Sequence, residues 1–108
     1  MTQAKEANIK IDIPARANIR NIAETHTAVL ASLLEAQAVE IDLSDCNDVD
    51  LSFLQMIESA RVYAQSAGKT VKLSSPADGV VLETLKRAGF LDEITPEDAR
   101  FWLHREGM

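Results

Sequence analysis

At 108 residues, 46% hydrophobic and 26% charged, the chain has the length expected of a single domain and the composition of a packed globular one, which argues against a fibrous repeat and intrinsic disorder. A net charge of -6 and a pI of about 4.8 leave no basic stripe for a phosphate backbone, so nucleic acid is not an expected partner. The single Cys46 can close no internal disulfide and has no spaced Cys or His for zinc. MTQAKEANIK lacks a leader's apolar core and no run approaches the ~20 apolar residues of a membrane span, so the expectation is a cytoplasmic protein.

Met1 to Ala7 are polar and expected to fray. Ile9, Ile11 and Ile13 then alternate with Asn8, Lys10 and Asp12, the pattern of a half-buried strand, and Pro14 ends it. From Ile19 to Ala36 the apolar positions Ile19, Ile22, Ala23, Val29, Leu30, Leu33 and Leu34 predict a helix packed by one face on a sheet, clearest over Ile22 to Leu34. His26 has no second ligand one turn away and reads as a solvated or locally hydrogen-bonded histidine.

The stretch from Val39 to Ala67 organises the rest. Val39 to Leu43 reads as a buried strand, and Ser44, Asp45, Asn47, Asp48 and Asp50 as a surface turn. Leu51 to Ser66 is predicted as a helix because Phe53, Met56, Ile57, Ala60 and Ala64 share one face; Gly68 closes it. Thr70 to Ser74 is the next strand. Two parallel strands joined by a helix form a right-handed crossover, which sets the acidic turn at the carboxyl edge of the sheet, beside the free amides of a helix start. Pro76 and Asp78 open another helix, carried by Val80, Val81, Leu82, Leu85 and Ala88 and stopped by Gly89. Thr95, Pro96 and Glu97 start a last helix running to Arg105. Its adjacent Phe101, Trp102 and Leu103 cannot all face one core; Trp102 is the one to consider as an exposed interface anchor, and capping of the core edge is the simpler reading for it.

Asp42, Asp45, Asp48 and Asp50 offer oxygens to a hard cation, but the Gly and closing Glu of a calcium loop are missing, and turn formation with helix capping accounts for them more simply. His26 and His104 lie in or near helices, with no nucleophile elbow and no Gly-rich phosphate loop. No enzyme is expected, and no cofactor or metal is assigned. A receiver-type phosphoaspartate domain would need an acidic pair after its first strand, where Ile9 to Pro14 holds only Asp12.

Ile41-Asp42-Leu43-Ser44, followed by Asp50-Leu51-Ser52 running into an apolar helix, resembles the strand, loop and helix of the STAS domain, the module of anti-sigma factor antagonists and sulphate transporter tails. The resemblance spans roughly Ile9 to Leu91, and Phe90-Leu91 is similar to the residues that close the third helix of such domains. It implies an α/β fold with a mostly parallel sheet of about four strands and about four helices, and in many members a short strand near Ile94. The family's usual loop is Asp-Ser-Ser-Gly-Leu with a phosphorylated first Ser; here Asp50 matches the Asp, Leu51 stands at the phosphoacceptor position and Ser52 falls on the second Ser.

What the resemblance implies is a non-enzymatic signalling module that binds a protein partner through Asp45, Asp48, Asp50, Leu51, Ser52 and Gln55, with Ser52 the candidate for phosphorylation. The implied partner is an anti-sigma factor, a histidine-kinase-like ATPase or another signalling protein, and Leu54-Gln55 is similar to a STAS variant that accompanies chemotaxis and other two-component systems. Two alternatives stand beside it: a constitutive subunit of an ABC-type lipid or solute transporter, and a small-ligand or nucleotide sensor using the cleft at the strand ends. On the lead reading, Asp50→Lys or Ser52→Glu abolishes partner capture with little change in thermal stability.

Overall fold

The computed structural model describes residues 8–105, so the fraying expected at residues 1–7 lies outside it. The elements run β1 (Asn8–Asp12), β2 (Arg16–Ala17), α1 (Ile22–Glu35), β3 (Ala38–Asp42), β4 (Asp48–Val49), α2 (Leu51–Ser66), β5 (Thr70–Leu73), α3 (Gly79–Arg87) and α4 (Pro96–Leu103). β1, β3 and β5 form a parallel sheet in the order β1-β3-β5, and β2 pairs with β4 in a second, two-stranded ladder. The mixed α/β class, the four helices and the parallel pairing are as expected. Among the described residues the main sheet has three strands where about four were expected.

Alternation along the strands decides the layers. In register across the sheet, Ile9, Val39 and Val71 form one row and Ile11, Ile41 and Leu73 the next, with Val39 and Ile41 fully buried. The intervening row, Lys10, Glu40 and Lys72, is polar, and its neighbours Asn8, Asp12 and Thr70 are exposed. The helices therefore cover one face and the other is left to solvent. β3 is buried through Val39 and Ile41, while Glu40 and Asp42 point away from the core, where Lys72 lies 3.9 Å from Glu40 and Lys10 3.3 Å from Asp42.

The helical layer fills the core with Val29 and Leu33 of α1, Phe53, Leu54, Ile57 and Ala60 of α2, Val81 and Leu85 of α3, and Phe101 and Trp102 of α4. Burying a side chain of this kind contributes ~1.5–3 kcal/mol, so the apolar stripes hold the layers together. On α1 the core positions are Thr25, Val29 and Leu33, spaced by four, and Leu34 is turned about 100° further round and left exposed. Ile19 precedes the helix, in a turn, and is exposed as well.

Two further expectations change. Ile94 is in no strand: α3 ends in successive turns over 88–93, where the Phe90 amide donates to the Leu85 carbonyl and the Asp92 amide to Gly89, and the chain then enters α4 directly. Trp102 is 1% exposed, so of its two readings the core one holds and the exposed anchor does not. Helix α4 does not lie on a flat sheet; it wedges between α2 and the segment around Ala77 and Phe90. The Ala77 amide donates to the Trp102 carbonyl, Phe90 stands edge-on to Trp102 at 6.5 Å and Phe101 at 5.0 Å, and Arg61 of α2 lies 4.2 Å above the Phe101 ring. With walls on two sides, neighbouring positions 100° apart are both covered, and Leu103 is half-buried. α4 ends at Leu103, with His104 left-handed at φ 55°, rather than at Arg105.

Candidate functional site

The acidic turn sits where the sequence places it, at the carboxyl end of β3. A second loop joins it there. After β1 the chain passes through Ala15, whose carbonyl accepts the amides of both Asn47 and Asp48 at 2.9 and 3.0 Å, and the short β2·β4 ladder continues the seam. Residues 16–21 thus lie against residues 47–52.

Asp50 locks the two loops. Its backbone is extended, as an N-cap requires, and one carboxylate oxygen accepts the Ser52 amide at 3.1 Å and the Ser52 hydroxyl at 2.5 Å. The other oxygen accepts the Ile19 amide at 2.9 Å. Desolvation works to raise this carboxyl, but the Ser52 hydroxyl and the amides of Ile19, Ser52 and Phe53 outweigh it and hold Asp50 below the usual carboxylate range. Around this tie, Asn18 donates to Asp48 at 3.0 Å, while Asn18 and Asn21 close a tight turn: the Asn18 amide meets the Asn21 side chain at 2.9 Å, and the Arg20 amide the Asn18 side chain at 3.0 Å. Asn21 also reaches the Arg16 carbonyl at 2.6 Å.

The surface this presents is mixed. Leu51 is 49% exposed and Ile19 68% exposed, and Asp45, Asp48 and Gln55 are exposed beside the half-buried Asp50 and Ser52. The six residues singled out in the sequence are therefore on one corner, at the start of α2. Ile19, Asn18 and Asn21 belong to it too and were missed, because hydrophobic periodicity assigns Ile19 to the following helix; the Asn-x-x-Asn spacing was the available turn signal.

The four aspartates do not converge. Asp42 is engaged by Ser44, through hydroxyl and amide, and by Lys10, all of which lower its pKa; Asp48 takes Asn18 and Asp50 takes Ile19 and Ser52. Among the described residues no group of three acids, histidines or cysteines is placed to hold a metal. The cavity at the strand ends, lined by Asp42, Leu43, Ser44, Ser75, Pro76, Asp78 and Val81, measures about 130 Å³, less than the ~300–1,000 Å³ of common ligand pockets. Cys46 is buried just below the corner, and desolvation pushes its thiol up, away from the reactive thiolate.

A one-faced parallel sheet whose central strand runs through an acidic turn into a capped helix is an α/β arrangement consistent with the STAS fold. The family model described as "Mlab, STAS domain" matches residues 1–96, and the chain belongs to that family. No curated protein and no solved structure matches it. STAS domains are protein-interaction modules of signalling and transporter-associated systems and are generally not enzymes. No helix among the described residues is long and apolar enough to cross a membrane.

Proposed function

We propose that the chain is a non-enzymatic module that holds a protein partner through the corner of Asp45, Asp48, Asp50, Leu51, Ser52 and Gln55, extended by Ile19. The observation that carries this reading is the pair of exposed aliphatic side chains, Ile19 and Leu51, set next to the half-buried Asp50 that ties their loops together. Apolar side chains inside a polar rim are what an interface needs, and here the backbone beneath them is fixed before a partner arrives. The family resemblance supports an anti-sigma factor, a histidine-kinase-like ATPase or a two-component or chemotaxis protein as the partner.

Ser52 is the hydroxyl through which such a corner would be regulated. Its Oγ donates to Asp50, so a phosphate there would set a second anion against the carboxylate that holds Ile19. The modified form would lose the cap and the corner's shape together. The second reading, a constitutive subunit of an ABC-type lipid or solute transporter, is favoured by one observation: Leu51, which carries no hydroxyl, occupies the family's phosphoacceptor position.

The test is capture from the source cell by wild type, Leu51→Glu, Ile19→Glu and Ser52→Glu chains of equal thermal stability. Loss of the same partner with Leu51→Glu and Ile19→Glu supports the corner, and undiminished capture by both overturns it. Recovery of that partner with soluble signalling proteins, or with a membrane ATPase, separates the two readings.

A further inference from the structure

A groove between α3 and α4 shares no residue with the corner. Its floor is apolar, made by Leu82 of α3, Leu91 and Ile94 of the connecting turns, and Leu103 of α4, and its volume is about 370 Å³. Its two charged lining residues are Lys86 and Arg105, and no acidic side chain among the described residues lines it. In a chain with 17 acids against 11 Lys and Arg, an apolar trough with only cations at its rim departs from the average surface. Helix polarity explains part of this, since Lys86 stands in the last turn of α3, where a cation meets the helix dipole. Arg105 follows the C-cap of α4, its amide bonded to the Ala99 carbonyl, so both cations stand at helix carboxyl ends that converge on this one groove. Neither cation enters an ion pair among the described residues.

We propose that this groove is a second docking site, for an acidic amphipathic segment of a partner protein that lays large apolar side chains on Leu82, Leu91, Ile94 and Leu103 and sets carboxylates against Lys86 and Arg105. Charge complementarity selects this occupant. Another copy of a chain carrying a net charge of -6 is repelled overall, and an uncharged apolar segment leaves both cations without a counter-charge. The site lets one module engage two surfaces at once, one at the start of α2 and one between α3 and α4.

The only tryptophan supplies the readout. Trp102 is joined in the chain to Leu103 and bonded through its carbonyl to Ala77, both lining the groove. Its fluorescence is titrated with a tryptophan-free, end-blocked helical peptide of Leu and Glu, and with the same peptide carrying Lys for every Glu. The expected result is saturable binding of the Glu peptide alone, weakened roughly tenfold or more in the Lys86→Glu, Arg105→Glu double variant, which gains affinity for the Lys peptide instead. Chemical shifts of the Leu82, Ile94 and Leu103 methyls report where the peptide sits, independently of the fluorescence. Equal binding of both peptides, no saturation, shifts elsewhere, or a self-associated wild type that the double variant dissolves would each overturn the proposal.

Discussion

One carboxylate oxygen of Asp50 accepts the Ile19 amide at 2.9 Å across 31 residues of sequence, while the other caps α2 through Ser52. A single side chain therefore starts a helix and fastens a distant loop. Removing it leaves two amides and a hydroxyl to find water. Asp50→Ala is expected to lower stability by about 1–2 kcal/mol, measured by urea unfolding, and to speed amide exchange at Ile19. The same capping role means that Asp50→Lys does not leave stability nearly unchanged, as the sequence suggests, so the exposed Leu51 and Ile19 are the better probes of binding.

Acid should undo the same tie. The Asp50 carboxyl is held below its ordinary value in the folded chain, so its contribution is fully present above the ordinary carboxylate range, about pH 4, and is lost as pH falls through the lower folded value. Asp42, held down by Ser44 and Lys10, acts in the same direction. Urea midpoints should therefore fall between pH 5 and pH 3, and Asp50→Asn should flatten part of that slope. A midpoint that rises toward pH 3 would contradict the hydrogen-bond assignment.

Arg61 fastens α4 to α2. Its Nη1 lies 2.9 Å from Glu58 and 3.0 Å from Asp98, and the guanidinium covers the Phe101 ring. The two ion pairs are partly exposed and contribute little singly, while the stacking adds about 0.5–1 kcal/mol. Arg61→Ala is expected to cost about 1–2 kcal/mol and to raise hydrogen exchange in α4 before the sheet. Arg61→Lys keeps a charge but not the planar stack, so it should recover only part of this.

Gly68 separates backbone conformation from packing. Its φ is +70° and a Cβ there would meet nothing within 4 Å, so Gly68→Ala should cost about 1 kcal/mol through the left-handed backbone alone, with an unchanged unfolding slope.

The helices were legible because their stripes are local: Phe53, Ile57, Ala60 and Ala64 recur within one element, and α2 forms over the predicted residues Leu51–Ser66. The parts that were not legible depend on distant neighbours. Trp102 is buried by Phe90 and Ala77, which no periodicity within α4 can show, and Ile19 joins the corner because a carboxylate 31 residues away takes its amide. In VEIDL, the charged residues at alternate places mark the open face of β3 and leave Val39 and Ile41 for the core. The acidic turn was found as a location, whereas its partners in residues 16–21 required the fold.

The bare side of the sheet sets its own constraint. A slip of either outer strand by one residue against β3 would drive Lys10 or Lys72 beneath the helices and strand an isoleucine or a valine in water. The row of lysine, glutamate and lysine thus keeps the three strands in alignment from outside, and whatever docks at the corner inherits loops whose spacing was settled along the bare face of the sheet.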